Sequence, residues 1–338
     1  MRFLSPRAGE TGRPVIRAIE VRLDAGVELH DEPALQVAAS VYLPEHLDDT
    51  RIALICLAGG NMNRRYYDLQ VEADADFSFA TQMTSRGFVV VTIDHLGLGE
   101  SSRPADGYAL TADVIVRANA RATGEILARL RVGRLADHLR ALPDLRSVGV
   151  GHSMGAMLTV LQQAQARQHA GVALLGFSTR GLPEFVPEDV RLLSPDDARA
   201  RLVEFARRLF VVPYPRIRRS GGGNDNAALY GSSGADPRGV AALKAATDCL
   251  LPVPAFLSMI PGNVAPEAAQ IEVPVLLMLG EHDMAGPPAE APRAFSASPD
   301  VRLEILPGAG HSHFLFPART QAYARLAAWA RRVVPNSP

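Results

Sequence analysis

Arg146-Ser147-Val148-Gly149-Val150-Gly151-His152-Ser153-Met154-Gly155 decides how this chain is read. A short apolar strand, Arg146 to Val150, runs into Gly151-His152-Ser153-Met154-Gly155, and helix formers follow from Ser153 to Ala166. A G-x-S-x-G pattern carries meaning at such a strand-to-helix junction. The serine there sits on a tight turn in a strained backbone conformation. Side chains two residues to either side would collide with neighbouring backbone, which is why glycine stands at both places. The turn lifts the Ser153 hydroxyl away from the sheet and sets it at a helix N-terminus. Free N–H groups and the helix dipole stabilise negative charge at that position.

Outward from this junction, apolar runs alternate with helical stretches. Arg51–Ala58 (RIALICLA), Phe88–Ile93 (FVVVTI), Gly171–Phe177 (GVALLGF) and Val273–Leu279 (VPVLLML) are almost continuously apolar, and Val301–Leu306 (VRLEIL) follows as a further strand. Runs of that kind are buried on both faces, as in a parallel sheet. Helices are expected over Phe77–Arg86, from about Thr111 to Leu142 with a break near Gly124 or Gly133, over Pro288–Ser296 and over Ala318–Val333. Residues 15–45 alternate loosely and predict one or two early strands with a solvated face. The fold class is therefore α/β, a mostly parallel twisted sheet flanked by helices.

Residues 179–268 break this rhythm. They are rich in Pro, Gly and Arg, show no buried strand, and offer one clear helical stretch at Arg201–Phe210. A long insert of this kind reads as a helical or irregular cap placed before the last two strands. The expected division is a core in two parts, 1–178 and 269–338, with a cap at 179–268.

The 338 residues carry 35 basic and 36 acidic side chains, a net charge of −1, with 47% hydrophobic residues. That balance excludes wholesale disorder and gives no electrostatic footprint for nucleic acid or an anionic membrane. Lys244 is the only lysine, so nearly all the positive charge is arginine. Cys56 and Cys249 lie in apolar surroundings and read as two buried reduced thiols, without metal-ligand spacing. Met1–Pro14 has charges but no apolar signal core. Prolines interrupt Cys249–Pro266, and glycines and glutamines interrupt Ser147–Ala166, so neither reads as a membrane span. A cytoplasmic protein is expected.

At Gly151-His152-Ser153-Met154-Gly155 the chain resembles the α/β-hydrolase family, and four further places from about residue 50 to 315 extend the resemblance. Val273–Leu279 leads into Gly280-Glu281-His282-Asp283, where the family carries its acid. Asp283 matches it, and Glu281 reads as a solvated turn residue. Pro307-Gly308-Ala309-Gly310-His311-Ser312-His313 follows the last strand. The family pattern places the catalytic base at His311, so His313 is expected to point elsewhere, as a loop or lid-facing residue and a candidate substrate contact. The order Ser153, Asp283, His311 is the family's order. Ala58-Gly59-Gly60 stands where the family often has His-Gly-x, which implies an oxyanion hole from the N–H groups of Gly60 and Met154. Without the usual histidine, the loop must be braced by another group. Asp94-His95-Leu96-Gly97-Leu98-Gly99-Glu100-Ser101 resembles the family's D-x-x-G-x-G-x-S turn, in which Asp94 and Ser101 are scaffold.

The chemistry implied is acyl transfer. A serine hydroxyl is a poor nucleophile at neutral pH; His311 takes its proton, Asp283 orients the imidazole, and an acyl-enzyme on Ser153 is hydrolysed by water. No cofactor or metal is implied. The expected substrate is a small carboxylic ester, lactone or thioester. Carrier-linked acyl transfer and carbon–carbon bond hydrolysis use the same three residues, and a non-catalytic binding protein of the same fold is the reading from another class. Asn61, Arg64 and Arg65 follow the oxyanion strand and are candidate substrate contacts; the alternative for the arginines and for Tyr66-Tyr67 is a clamp on the N-terminal segment. Arg207, Arg208, Arg216, Arg218 and Arg219 read either as a patch for a phosphate-bearing acyl carrier, such as CoA or a carrier protein, or as a solvated arginine-biased surface.

Overall fold

The apolar runs form the middle of one eight-stranded sheet in the computed structural model, which describes residues 18–216 and 234–335. The strands are β1 (Ile19–Asp24), β2 (Gln36–Tyr42), β3 (Ile52–Leu57), β4 (Val89–Ile93), β5 (Arg146–His152), β6 (Val172–Leu175), β7 (Val275–Gly280) and β8 (Val301–Leu306). Their order across the sheet is β1-β2-β4-β3-β5-β6-β7-β8. β1 and β2 pair antiparallel with each other, β2 pairs antiparallel with β4, and β3 to β8 are mutually parallel. β3, β4, β6 and β7 are buried along their whole length, as continuous apolar runs require. The edges differ: β1 alternates between buried and exposed positions, and β8 carries Arg302 and Glu304, which keep an open edge from pairing with another chain.

This strand order contains a switch point. After β3 the chain moves to one side to form β4, then returns to the other side to form β5. The loops leaving β3 and β5 diverge there and open a crevice at the carboxyl ends of the strands, where open α/β sheets bind ligands. The register puts the key loops on one rim, because Leu57 pairs with Gly151, His152 with Leu175, Leu175 with Met278 and Gly280 with Leu306.

Helices cover both faces. α2 (Ala112–Arg131) and α3 (Met154–Ala166) bury Ile115, Ile126, Met157 and Leu158 on one face. α1 (Phe79–Thr84) and a C-terminal helix (Arg319–Val333) bury Phe79, Tyr323 and Trp329 on the other. The helical region expected from Thr111 runs through Gly124 and stops at Arg131, at the second of its two expected breaks. Gly133 turns there with φ +69, and a Cβ at that position would stand 2.6 Å from the Leu139 carbonyl oxygen. Pro288–Ala294 is a 3₁₀ turn rather than an α-helix. Val15 and Ile16 lie outside the described residues.

Between β6 and β7 the described residues contain helices but no strand: α4 (Glu188–Arg191), α5 (Pro195–Ala200), α6 (Leu202–Phe210), α7 (Pro237–Ala246), α8 (Pro252–Met259) and α9 (Ala265–Ala268). With these in place the C-terminal helix is α10. α7 and α8 begin with proline, where a missing N–H costs nothing. Val190, Ala198, Phe205, Phe256 and Ile260 make a small apolar core of their own, while Leu243 and Leu251 join the main cores on either side of the sheet. Cys56 and Cys249 are free, buried thiols. Among the described residues no helix is long and apolar enough to cross a membrane.

His169, just after α3, tests the packing of this core. Its Nδ1 meets Ser147 Oγ at 3.0 Å, and burial pushes its imidazole down to about 4. The unfolded chain takes up this proton below about pH 6.5, whereas the folded chain takes it up only near pH 4, so stability is lost as pH falls between them. The loss at this residue is about 3 kcal/mol by the linkage relation. Urea unfolding at pH 7 and at pH 4.5 is expected to show it, and His169→Gln is expected to shrink the difference by a comparable amount. His95 and His152 are also held below the usual histidine range by burial and act in the same direction.

Candidate active site

Ser153 occupies the turn between β5 and α3 with φ 54 and ψ −122, a conformation that L-residues rarely adopt. Its N–H donates to the Leu175 carbonyl at 2.8 Å, holding the turn to the sheet. A Cβ at Gly151 would lie 2.4 Å from Ala156 Cα, and one at Gly155 would lie 2.2 Å from the Leu57 carbonyl oxygen. Both contacts are with backbone, so only glycine fits. The strain at Ser153 predicts a trade: Ser153→Gly is expected to raise the unfolding free energy by about 1 kcal/mol while removing the hydroxyl. Urea titration of both forms at one pH measures this. Unchanged or lower stability would mean that the turn is not strained.

Asp283 lies on the turn after β7 and is fully buried. Its Oδ1 accepts from His311 Nδ1 at 2.8 Å and from the Ala285 N–H at 3.0 Å. Its Oδ2 accepts from His313 Nε2 at 3.0 Å and, at 3.3 Å, from the Gly280 N–H. Burial alone would push this carboxyl up, but His311 and His313 together hold it well below the usual carboxylate range. With its Nδ1 proton on Asp283, His311 presents Nε2 as an acceptor, and Ser153 Oγ donates to it at 2.9 Å. Glu281 instead accepts from the Gly308 N–H at the exposed rim.

His313 departs from expectation. It does not face a lid or pocket: its side chain is wholly buried, and it shares Asp283 with His311. The 3₁₀ turn His313–Leu315 folds the chain back so that both imidazoles meet one carboxylate. His152, within the elbow, is a residue that sequence reasoning passed over. Its Nε2 donates to the His311 carbonyl at 2.9 Å, and its ring stacks on Tyr66 with centroids 4.6 Å apart.

Gly60 stands beside the elbow. A Cβ there would be 3.9 Å from Met154 Sδ, and one at Gly59 would be 3.1 Å from Ser153 Cβ. Met154 is the first residue of α3, so its N–H has no intrahelical partner. The bracing that a loop histidine would supply comes from two other side chains. His95 Nε2 donates to the Ala58 carbonyl at 3.1 Å while its Nδ1 accepts from Asn119. Tyr67 donates from its hydroxyl to Leu57 and Val150 carbonyls at 3.0 and 3.2 Å. Burial lowers the basicity of His95, so it holds this bond as the neutral Nε2–H form.

Arg64 is not a substrate contact but takes its alternative role as a clamp on the N-terminal segment: its buried guanidinium pairs with Asp94, with Glu20 of β1 at 2.9 Å and with Glu100 at 3.1 Å. Asp94 is thus scaffold, as is Ser101, whose hydroxyl donates to the Asp94 carbonyl at 2.7 Å and accepts from the Ala38 N–H. Arg65 is exposed, and the Asn61 carbonyl is taken by the Asp248 N–H. A small pocket opens directly against Ser153 and His311, and its walls come from Gly176, Phe177, Ser178, Gly181, Leu182, Ser258 and Ala285. Asn61, Arg64, Arg65 and His313 are not part of it. Of the arginines read as a phosphate patch, Arg207 pairs with Asp106 and Arg208 with Asp189, each at 2.7 Å. Arg216 is exposed, and Arg218 and Arg219 lie outside the described residues. No cluster of metal-ligating side chains occurs among the described residues.

A family model described as the alpha/beta hydrolase family matches residues 54–326. No curated protein matches the chain. Among solved structures, the chain is similar to a highly thermostable carboxyl esterase from Bacillus coagulans, with 16% identity and TM-score 0.62, covering 93% of this chain and 99% of that one. It is similar to a peroxisomal alpha-beta-hydrolase from Saccharomyces cerevisiae, with 14% identity and TM-score 0.60, covering 96% and 90%. A proline iminopeptidase from Mycobacterium smegmatis is similar at 20% identity and TM-score 0.54, covering 94% and 98%. At these identities the likeness is one of fold.

Proposed function

Because the chain belongs to the alpha/beta hydrolase family, we propose that it is a serine hydrolase cleaving a carboxylic ester, lactone or thioester through an acyl-enzyme on Ser153. The observation that carries this reading is the continuous chain of hydrogen bonds from Ser153 Oγ through His311 to Asp283, at 2.9 and 2.8 Å. His311 accepts the hydroxyl proton as Oγ attacks the carbonyl carbon, and then returns it to the leaving group. Asp283 fixes the imidazole in the tautomer that can accept and stabilises the imidazolium. The N–H groups of Gly60 and Met154 receive the developing oxyanion, a contribution of about 3 kcal/mol for each donor in comparable sites. Water then repeats the sequence on the acyl-enzyme.

A serine at the elbow favours acyl chemistry over displacement chemistry, which needs a carboxylate nucleophile at that place. The reading with a phosphate-bearing acyl carrier is weaker, since Arg207 and Arg208 already have carboxylate partners. A purely binding role leaves the strained serine and its imidazole partner without purpose. A panel of p-nitrophenyl esters, thioesters and lactones, offered to the wild type and to Ser153→Ala, tests the proposal. Turnover by the wild type and its loss in the variant are expected. A folded wild type inert toward every substrate would favour the binding role.

A further inference from the structure

We propose that the acyl group accepted at Ser153 is short, an acetyl group of two carbons, and that Leu182 sets this limit; the inference rests on the serine-hydrolase reading above. The cavity against Ser153 and His311 has a volume of about 20 Å³. A space of that size holds about one water-sized group, which is close to one methyl. Gly176, Phe177, Gly181, Leu182, Ser258 and Ala285 wall it in. Ser153, Met154 and His311 all border it, so the space adjoins the carbon that Ser153 attacks, and the proposal assigns it to the acyl substituent.

The walls are tied by main-chain bonds. Leu182 N–H donates to the Met259 carbonyl at 2.9 Å, and Gly262 N–H donates to the Thr179 carbonyl at 2.8 Å. Gly181 is pressed against this partner strip: a Cβ there would lie 2.5 Å from the carbonyl oxygens of Met259 and Ile260. On the other side, Ser178 Oγ donates to the Ala285 carbonyl at 2.6 Å. Widening the chamber by sliding residues 178–182 would break all of these bonds together, each worth about 1 kcal/mol or more when buried. The chamber also offers no hydroxyl proton to a polar chain, because Ser178 and Ser258 both donate to main-chain carbonyls. A compact apolar substituent fits this space. Leu182 is half-buried at the pocket's wall, so its side chain can be shortened without touching the reacting groups.

The test is a ladder of p-nitrophenyl esters from acetate to decanoate, read as kcat/KM for the wild type, Leu182→Ala and the milder Leu182→Val. Fluorophosphonate labelling of Ser153 is run in parallel. The wild type is expected to prefer acetate over octanoate by at least about 100-fold, the scale of discrimination that a tight apolar pocket provides. Leu182→Ala is expected to lower that ratio at least tenfold, with Leu182→Val between. A wild type that turns over octanoate as well as acetate would overturn the size limit. A short-chain preference left unchanged in both variants would overturn the role of Leu182. Absence of both labelling and turnover at every length would instead bring down the underlying serine-hydrolase reading, and this inference with it.

Discussion

Ser153→Ala is expected to lower kcat for ester hydrolysis by about 10⁵–10⁶-fold, the scale seen when the nucleophile of a concerted triad is removed. The loss is expected without unfolding. Alanine keeps the Cβ of serine and the same backbone at φ 54, and Ser153 makes no side-chain cap to α3 that the change would remove. Matching thermal transitions with turnover reduced to the level of bound but unactivated substrate would establish that the hydroxyl acts chemically. A drop of only tenfold, with the fold intact, would mean that another group attacks.

Asp283→Asn is expected to cost about 10⁴-fold in kcat, and the reason lies in the two imidazoles it serves. A carboxylate accepts from both His311 and His313. An amide has one oxygen, so its NH₂ must face one of the two rings. If it faces His311, that ring must accept through Nδ1 and carry its proton on Nε2, where Ser153 can no longer deliver its own. If it faces His313, a wholly buried imidazole must move its proton to Nδ1, which has no partner among the described residues. Either way a buried polar group is left unpaired, at about 1–3 kcal/mol of stability. Steady-state kinetics together with urea unfolding measure both effects. A kcat within tenfold of wild type together with unchanged stability would argue that Asp283 does not hold the tautomer of His311.

Much of this was legible in the sequence because backbone sterics impose it. A serine at positive φ between two strictly required glycines leaves the same trace wherever it occurs, and a strand that ends on a carboxylate or an imidazole can be counted along the chain. The outer parts were illegible for specific reasons. Arg64 and Arg65 look alike in sequence. What separates them is Asp94, thirty residues on, and Glu20, forty-four residues back, both brought to Arg64 by pairing across the sheet. A two-residue step along an extended chain points His313 away from His311, whereas the 3₁₀ turn at His313–Leu315 returns it to the same carboxylate. His95 was in plain view within the D-x-x-G turn. Its role could be found only by asking which side chain replaces the absent loop histidine. α7 and α8 each open on a proline, which breaks a helix in its interior but starts one at the first position, so a Pro-rich composition hides them.

The central claim is that Ser153 Oγ is a nucleophile activated by His311. Intact-protein mass spectrometry after treatment with a fluorophosphonate tests it most directly, with peptide mapping of the adduct. One phosphonyl group per chain, on the peptide containing Ser153 and greatly slowed in His311→Ala, is the predicted result. A folded wild-type protein that stays unlabelled, or that carries the label on another residue, would contradict the account.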